Sequence, residues 1–202
     1  DGQGSDGQGG RVLLLAPRVG LINKSVVNVS GRFGGGIALV GGDYQGKNPG
    51  VQNAQAIFVG SDTHIVADGI ESGTGGKVIL WADDVTRFNG SISARGGING
   101  GNGGFVEVSG KRYLDFQGLV NTSAPLGVVG TLLLDPDDLS IVPSTGADLN
   151  FTPTATSPTA TSYTFQTAGT GNSTLKDTTI SAQLSGNNVL IKTTITGSGG
   201  NG

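Results

Sequence analysis

Few side chains in this sequence are of a type that does chemistry, and their spacing decides what each could do. Asp83 and Asp84 are neighbouring carboxylates. Paired acids cleave glycosidic bonds when they converge on one open face, about 5–9.5 Å apart. Adjacent residues of a strand point to opposite faces, so this pair does not converge and reads as a solvated turn. Asp135, Asp137 and Asp138 surround Pro136 after the run Leu132-Leu133-Leu134. A calcium site needs several oxygens in a closed loop, so this cluster reads as strand termination followed by a turn. Gly96 to Gly104 has the glycine density of a phosphate loop but neither the Lys-Ser/Thr pair nor the following helix. The same stretch, running on through Phe105-Val106-Glu107-Val108, approaches a calcium-binding nonapeptide yet lacks its aspartate. His64 is the single histidine, and it precedes Ile65, whose inward register turns His64 outward. No catalytic, cofactor-binding or metal-ligating set is expected, and the chain reads as non-enzymatic. A polysaccharide-cleaving enzyme would need several convergent acids and bases.

Two aromatic residues are candidate ligand contacts. Trp81 falls one position past inward-facing Leu80, which places it on the outer face or at a corner. An exposed Trp there is a contact for carbohydrate or protein, with Tyr44 as its partner; the sequence favours packing beneath a neighbouring insertion. Asn-x-Ser/Thr sequons at Asn23, Asn28, Asn89, Asn121, Asn150 and Asn172 are candidate glycosylation sites.

Composition narrows the class further. Of 202 residues, 38 are glycine, only 13% are charged, and Cys and Met are absent. Disulfides and thiol chemistry are thereby excluded. Seven prolines and no three-residue glycine period exclude collagen. A formal net charge of -3 gives no basic footprint for nucleic acid. Apolar runs such as Val12 to Ala16 are far too short to cross a membrane as a helix.

The elements that position these residues follow from a repeat. Gly10, Gly36, Gly76, Gly104 and Gly130 each begin a segment whose second and fourth following residues are apolar, as in Gly76-Lys77-Val78-Ile79-Leu80. The first and third accept Arg, Lys, Thr and Glu, which is the period of a strand with one face always inside. The spacings are 26, 40, 28 and 26 residues, and an insertion from Gly41 to Gln55 accounts for the long one. A second series (Val27-Asn28-Val29, Ile65-Val66-Ala67, Ile92-Ser93-Ala94, Val120-Asn121-Thr122) runs in step with the first. A third has Val85/Phe88 and Tyr113/Phe116. Three short strands per repeat cannot bury their apolar faces alone, whereas stacked repeats at about 4.8 Å can. The expected fold is all-β, a right-handed parallel β-helix of about 26 residues per coil. Its coils span 1–143. A Thr/Ser/Pro-rich excursion or set of exposed hairpins spans 144–179, with 12 Thr in 36 residues, and strand patterning resumes over 180–202. No leader opens the sequence, and the glycine-rich ends read as cuts from a longer array.

Gly75 to Asp83, Thr86 to Gly97, Asn102 to Lys111 and Gly130 to Pro136 together resemble filamentous haemagglutinin-like exoproteins of the two-partner secretion pathway. Gly41 to Gly46 and Asn53-Ala54 fit as well. The resemblance covers residues 10–142 well and 178–202 more loosely. It implies a right-handed β-helix, secretion to the surface of a Gram-negative-type bacterium, and adhesive or fibrous roles. The family's amino-terminal secretion domain is not matched, since Asn48-Pro49-Gly50 is a poor substitute for its Asn-Pro motifs. Transporter contact is therefore expected only through that missing domain. The expected role is a structural shaft that self-associates end to end, with a host receptor or glycan as further partner; the alternative is a carbohydrate-binding module on the same scaffold.

Overall fold

A computed structural model of the chain describes residues 6–144 and 173–193. The strands are β1 (Arg11–Leu14), β2 (Arg18–Leu21), β3 (Val26–Asn28), β4 (Ile37–Val40), β5 (Ala54–Val59), β6 (His64–Val66), β7 (Lys77–Phe88), β8 (Ser91–Ser93), β9 (Phe105–Gly110), β10 (Tyr113–Phe116), β11 (Leu119–Asn121), β12 (Thr131–Leu134), β13 (Leu139–Val142), β14 (Ser173–Lys176) and β15 (Asn188–Ile191). The described chain is mostly β, and its named strands pair in parallel.

Three ladders form, and apart from the β12–β15 rung each joins a strand to its counterpart one repeat later. The first runs β1-β4-β7-β9-β12-β15. Its register pairs Arg11 with Ile37, Ile37 with Lys77, Lys77 with Phe105 and Phe105 with Thr131, which are the glycine spacings shifted by one residue. The second joins β2, β5, the far half of β7 and β10, so that Leu21, Val59, Phe88 and Phe116 align. The third runs β3-β6-β8-β11 and aligns Val27, Ile65, Ile92 and Val120. Inward residues of all three ladders meet in one core. Phe88 and Phe116 stack within it, their ring centroids 5.3 Å apart.

The glycines that open each repeat are needed for this closeness. A Cβ on Gly36, Gly76, Gly104 or Gly130 would lie 2.0–2.1 Å from the carbonyl oxygen of the corresponding glycine one repeat earlier, starting at Gly10. The same carbonyls accept the next strand's first N–H, as in Lys77 to Gly36 and Phe105 to Gly76.

Two features depart from the sequence expectation. Leu39, Ile79, Glu107 and Leu133 occupy the third position after their glycines, on the face expected to be solvated, and all four are buried. The insertion folds back over this outer face and covers it. Second, Ile180 and Leu184 lie not in resumed strand pattern but in helix α1 (Asp177–Leu184). Its buried Gln183 explains the choice. The side-chain oxygen accepts from Val120 N–H at 3.0 Å, and the side-chain nitrogen donates to Gly118 carbonyl at 3.2 Å. Asn187 does the same for Thr122 N–H and Val120 carbonyl, at 2.9 and 2.8 Å. Side-chain amides thus take the place of a neighbouring strand along β11, and backbone groups that burial would otherwise orphan are satisfied. Within the excursion, Ser173 to Lys176 pairs in parallel with Leu139 to Val142; residues 145–172 lie outside the described part. No described helix is long and apolar enough to cross a membrane.

Candidate functional site

The insertion and the sheet face beneath it gather a cluster of charged and aromatic side chains. Asp43 organises the loop. Its carboxylate accepts from Tyr44 N–H at 2.7 Å, from the Asn48 side chain at 2.8 Å and from Lys77 Nζ at 3.2 Å. The Asn48 bond, reinforced by Tyr44 and Lys77, outweighs partial burial and holds the Asp43 carboxyl down to about 2. A short 3-10 turn, Tyr44 to Gly46, follows, and Gln45 within it adopts a left-handed backbone at φ 53. Gly46 is required there, since a Cβ would meet the Trp81 indole nitrogen at 2.2 Å.

Gln45 joins the loop to Glu107 of β9 and to Asp135 just past β12. Its backbone N–H is shared by the two Glu107 oxygens at 3.3 and 3.2 Å. Its side-chain nitrogen donates to Asp135 Oδ2 at 2.5 Å. Glu107 stands in a row that is otherwise aliphatic: Leu13, Leu39, Ile79, Glu107, Leu133, Leu190. It is fully buried. Desolvation dominates its titration and pushes the carboxyl up to about 7, opposed by the Gln45 N–H, the Ser109 hydroxyl and Lys77, and aided by Asp135. Asp135 is also buried, and its Oδ1 has no hydrogen-bond partner. Chemically, the arrangement lets a carboxyl beneath the loop hold a proton near neutrality.

Beside this pair lies a cavity of about 410 Å³ lined by Trp81, Asp83, Lys111, Asp135, Asp137 and loop residues. Burial raises the Asp137 carboxyl, with Lys111 opposing. A second, open groove of about 760 Å³ follows Gly36, Gly76, Gly104 and Gly130, with Tyr44 and Phe105 on its wall.

The candidate contacts Trp81 and Tyr44 both come to this patch, in different states. Trp81 is only 5% exposed, packed beneath the loop with its indole N–H donating to Asp83 at 3.0 Å. Tyr44 is 38% exposed, meets Phe105 edge-on and carries Lys77 Nζ 5.8 Å above its ring. Asp83 and Asp84 diverge: Asp83 accepts from Trp81 and Asn53, and Asp84 pairs with Arg112. His64 is exposed, 2.6 Å from Ser91 Oγ. Of the sequons, Asn23 and Asn121 are exposed, while Asn28 and Asn89 are half-buried. Asn28 and Asn121 spend their side-chain oxygens on Ser30 and Ser123 N–H. Asn150 and Asn172 lie outside the described residues. Among the described residues no three acidic or histidine side chains are placed to hold a metal ion.

Glu107 and Gln45 are the residues that sequence reasoning passed over. The signal was present: one charged residue in a column of Leu and Ile. Reading it requires knowing that a loop covers the column. Compared with known proteins, the chain matches no family model and no curated protein.

Proposed function

We propose that the chain is a stretch of shaft from a secreted, surface-associated adhesin or extracellular fibre, wound as a right-handed parallel β-helix of about 26 residues per coil. Its function is architectural. Repeated parallel backbone pairing gives a stiff rod, and insertions such as residues 41–55 decorate it. The observation that carries the reading is the common register of three parallel ladders, each linking residues one glycine-spaced repeat apart. The lack of cysteine suits export as an unfolded chain through an outer-membrane pore. The resemblance to filamentous haemagglutinin-like exoproteins supplies the surface of a Gram-negative-type bacterium as the location.

Self-association follows from β1 and β15, which end the first ladder and whose outward edges no strand pairs with among the described residues. Light scattering and electron microscopy over a concentration series test this reading. Rods that lengthen with concentration are expected; short particles of unchanged mass at every concentration would contradict it.

A further inference from the structure

The loop over Trp81 rests on two buried carboxylates that have too few donors to satisfy them. Glu107 shares a single backbone N–H, that of Gln45, between its two oxygens. Asp135 receives one side-chain N–H from the same residue, and Oδ1 is left buried without a partner. Ser109 links the two acids, since its hydroxyl bonds Glu107 and accepts from Asp135 N–H at 3.2 Å. Among the described residues no ion pair reaches either carboxylate. Gln45, meanwhile, is held in a left-handed backbone that a side-chain-bearing residue adopts only when its surroundings impose it.

We propose that the 41–55 loop is a proton-operated clasp, in which protonated Glu107 keeps Gln45 seated over the buried acids and ionised Glu107 favours a raised loop that exposes Trp81 and the cavity beside it.

The direction follows from hydration. A raised loop gives Glu107 water, and with it an ordinary carboxyl affinity for protons; the closed loop denies it water, and its proton is held to about 7. Ionisation therefore favours opening. Each pH unit between about 4.5 and about 7 makes opening about tenfold easier, and above that range the gain levels off. The neighbouring groups do not reverse this sign. On the loop, Asp43 is ionised throughout that range and is paired with Lys77 of β7, while Lys47 donates to the Gln45 side-chain oxygen. Tyr44 packs on Phe105 and Asp83 receives Trp81. Lys111 and Asp137 oppose each other across the cavity. Among the described residues, Lys77 is the cation that acts on Glu107, and its effect is smaller than that of burial.

Trp81 is the only tryptophan in the chain, so its indole N–H reports the loop without interference. Hydrogen exchange of that N–H and of the Gln45 amide, followed by NMR from pH 5 to 8 and corrected for intrinsic rates, measures opening directly. Protection is expected to fall about tenfold per pH unit up to about 7 and then to level off. In Glu107→Gln the dependence should vanish while the closed loop persists. A carbon-13 titration of the Glu107 carboxyl in the unaltered chain provides a measurement that no variant can spoil by misfolding. Protection that does not change with pH, a Glu107 carboxyl that titrates near 4.5, or an unchanged pH profile in Glu107→Gln would each overturn the proposal.

Discussion

Gly104 lies directly against Gly76. A Cβ built on Gly104 would stand 2.1 Å from the Gly76 carbonyl oxygen, and Phe105 N–H donates to that same oxygen at 3.0 Å. The contact repeats along the column of repeat-opening glycines, so it reports how closely successive repeats approach. Gly104→Ala is expected to cost about 3–5 kcal/mol, because backbone rather than a flexible side chain must give way. Gly50→Ala meets only the Asn48 side-chain oxygen at 3.3 Å and should change stability by less than about 0.5 kcal/mol. Urea denaturation of the two variants checks the contrast.

Global stability should carry the signature of Glu107. Its folded-state proton affinity is raised to about 7 from 4.5, so stability is fully present below the unfolded value and is lost as pH rises through the folded one. A decline of about 1.4 kcal/mol per pH unit between about 5 and 7, with a plateau above, is expected from denaturation midpoints. Glu107→Leu, which completes the aliphatic row, should remove the slope and exceed the unaltered chain in stability at pH 8.

Removing either amide that lines β11 should be costly. Gln183→Ala leaves the buried Val120 N–H and Gly118 carbonyl without their side-chain partner, and Asn187→Ala removes the side-chain donor to the Val120 carbonyl while Thr122 N–H keeps the Gly186 carbonyl at 3.1 Å; each should cost about 1–3 kcal/mol. In Gln183→Ala, amide exchange at Val120 should accelerate more than elsewhere in the core. Unchanged protection at the Val120 amide would show that Gln183 of α1 does not occupy the strand's place.

Asp68 ties successive repeats together at the end of the third ladder. Its backbone N–H donates to Ser30 Oγ one repeat earlier. Its carboxylate accepts from Ser93 Oγ at 2.6 Å and from Arg95 N–H at 2.8 Å, and it pairs with the Arg95 guanidinium at 2.7 Å. Asp68→Ala should cost about 2–3 kcal/mol. Arg95→Ala should cost less than half as much, because the guanidinium is half exposed and water replaces it. Thermal midpoints of the two variants give the ratio.

The strand positions were legible in the sequence because they depend on contacts between equivalent residues. Val78, Val106 and Leu132 each predict the next, and a glycine before each marks where the backbones touch. The burial of Glu107 was not legible, since the third position after each glycine is solvated or covered according to where residues 41–55 fold. The helix at Asp177 was hidden for a similar reason. Thr178, Thr179 and Ile180 favour strand, and it is Gln183 bonding across to β11 that selects the helix. In both cases the deciding partner lies some 60 residues away along the chain.

Stacking of repeats is most directly tested by a cross-link across one repeat. The chain contains no cysteine, so introduced thiols are the only ones present. Ser91 and Leu119 are register partners on the outer side of the third ladder, and Val120 beside them is turned inward. Under mild oxidation, Ser91→Cys with Leu119→Cys should close to an intramolecular disulfide, detected by mass, and Ser91→Cys with Val120→Cys should not. Failure of the first pair, or equal closure of both, would contradict the in-register winding on which the shaft reading depends.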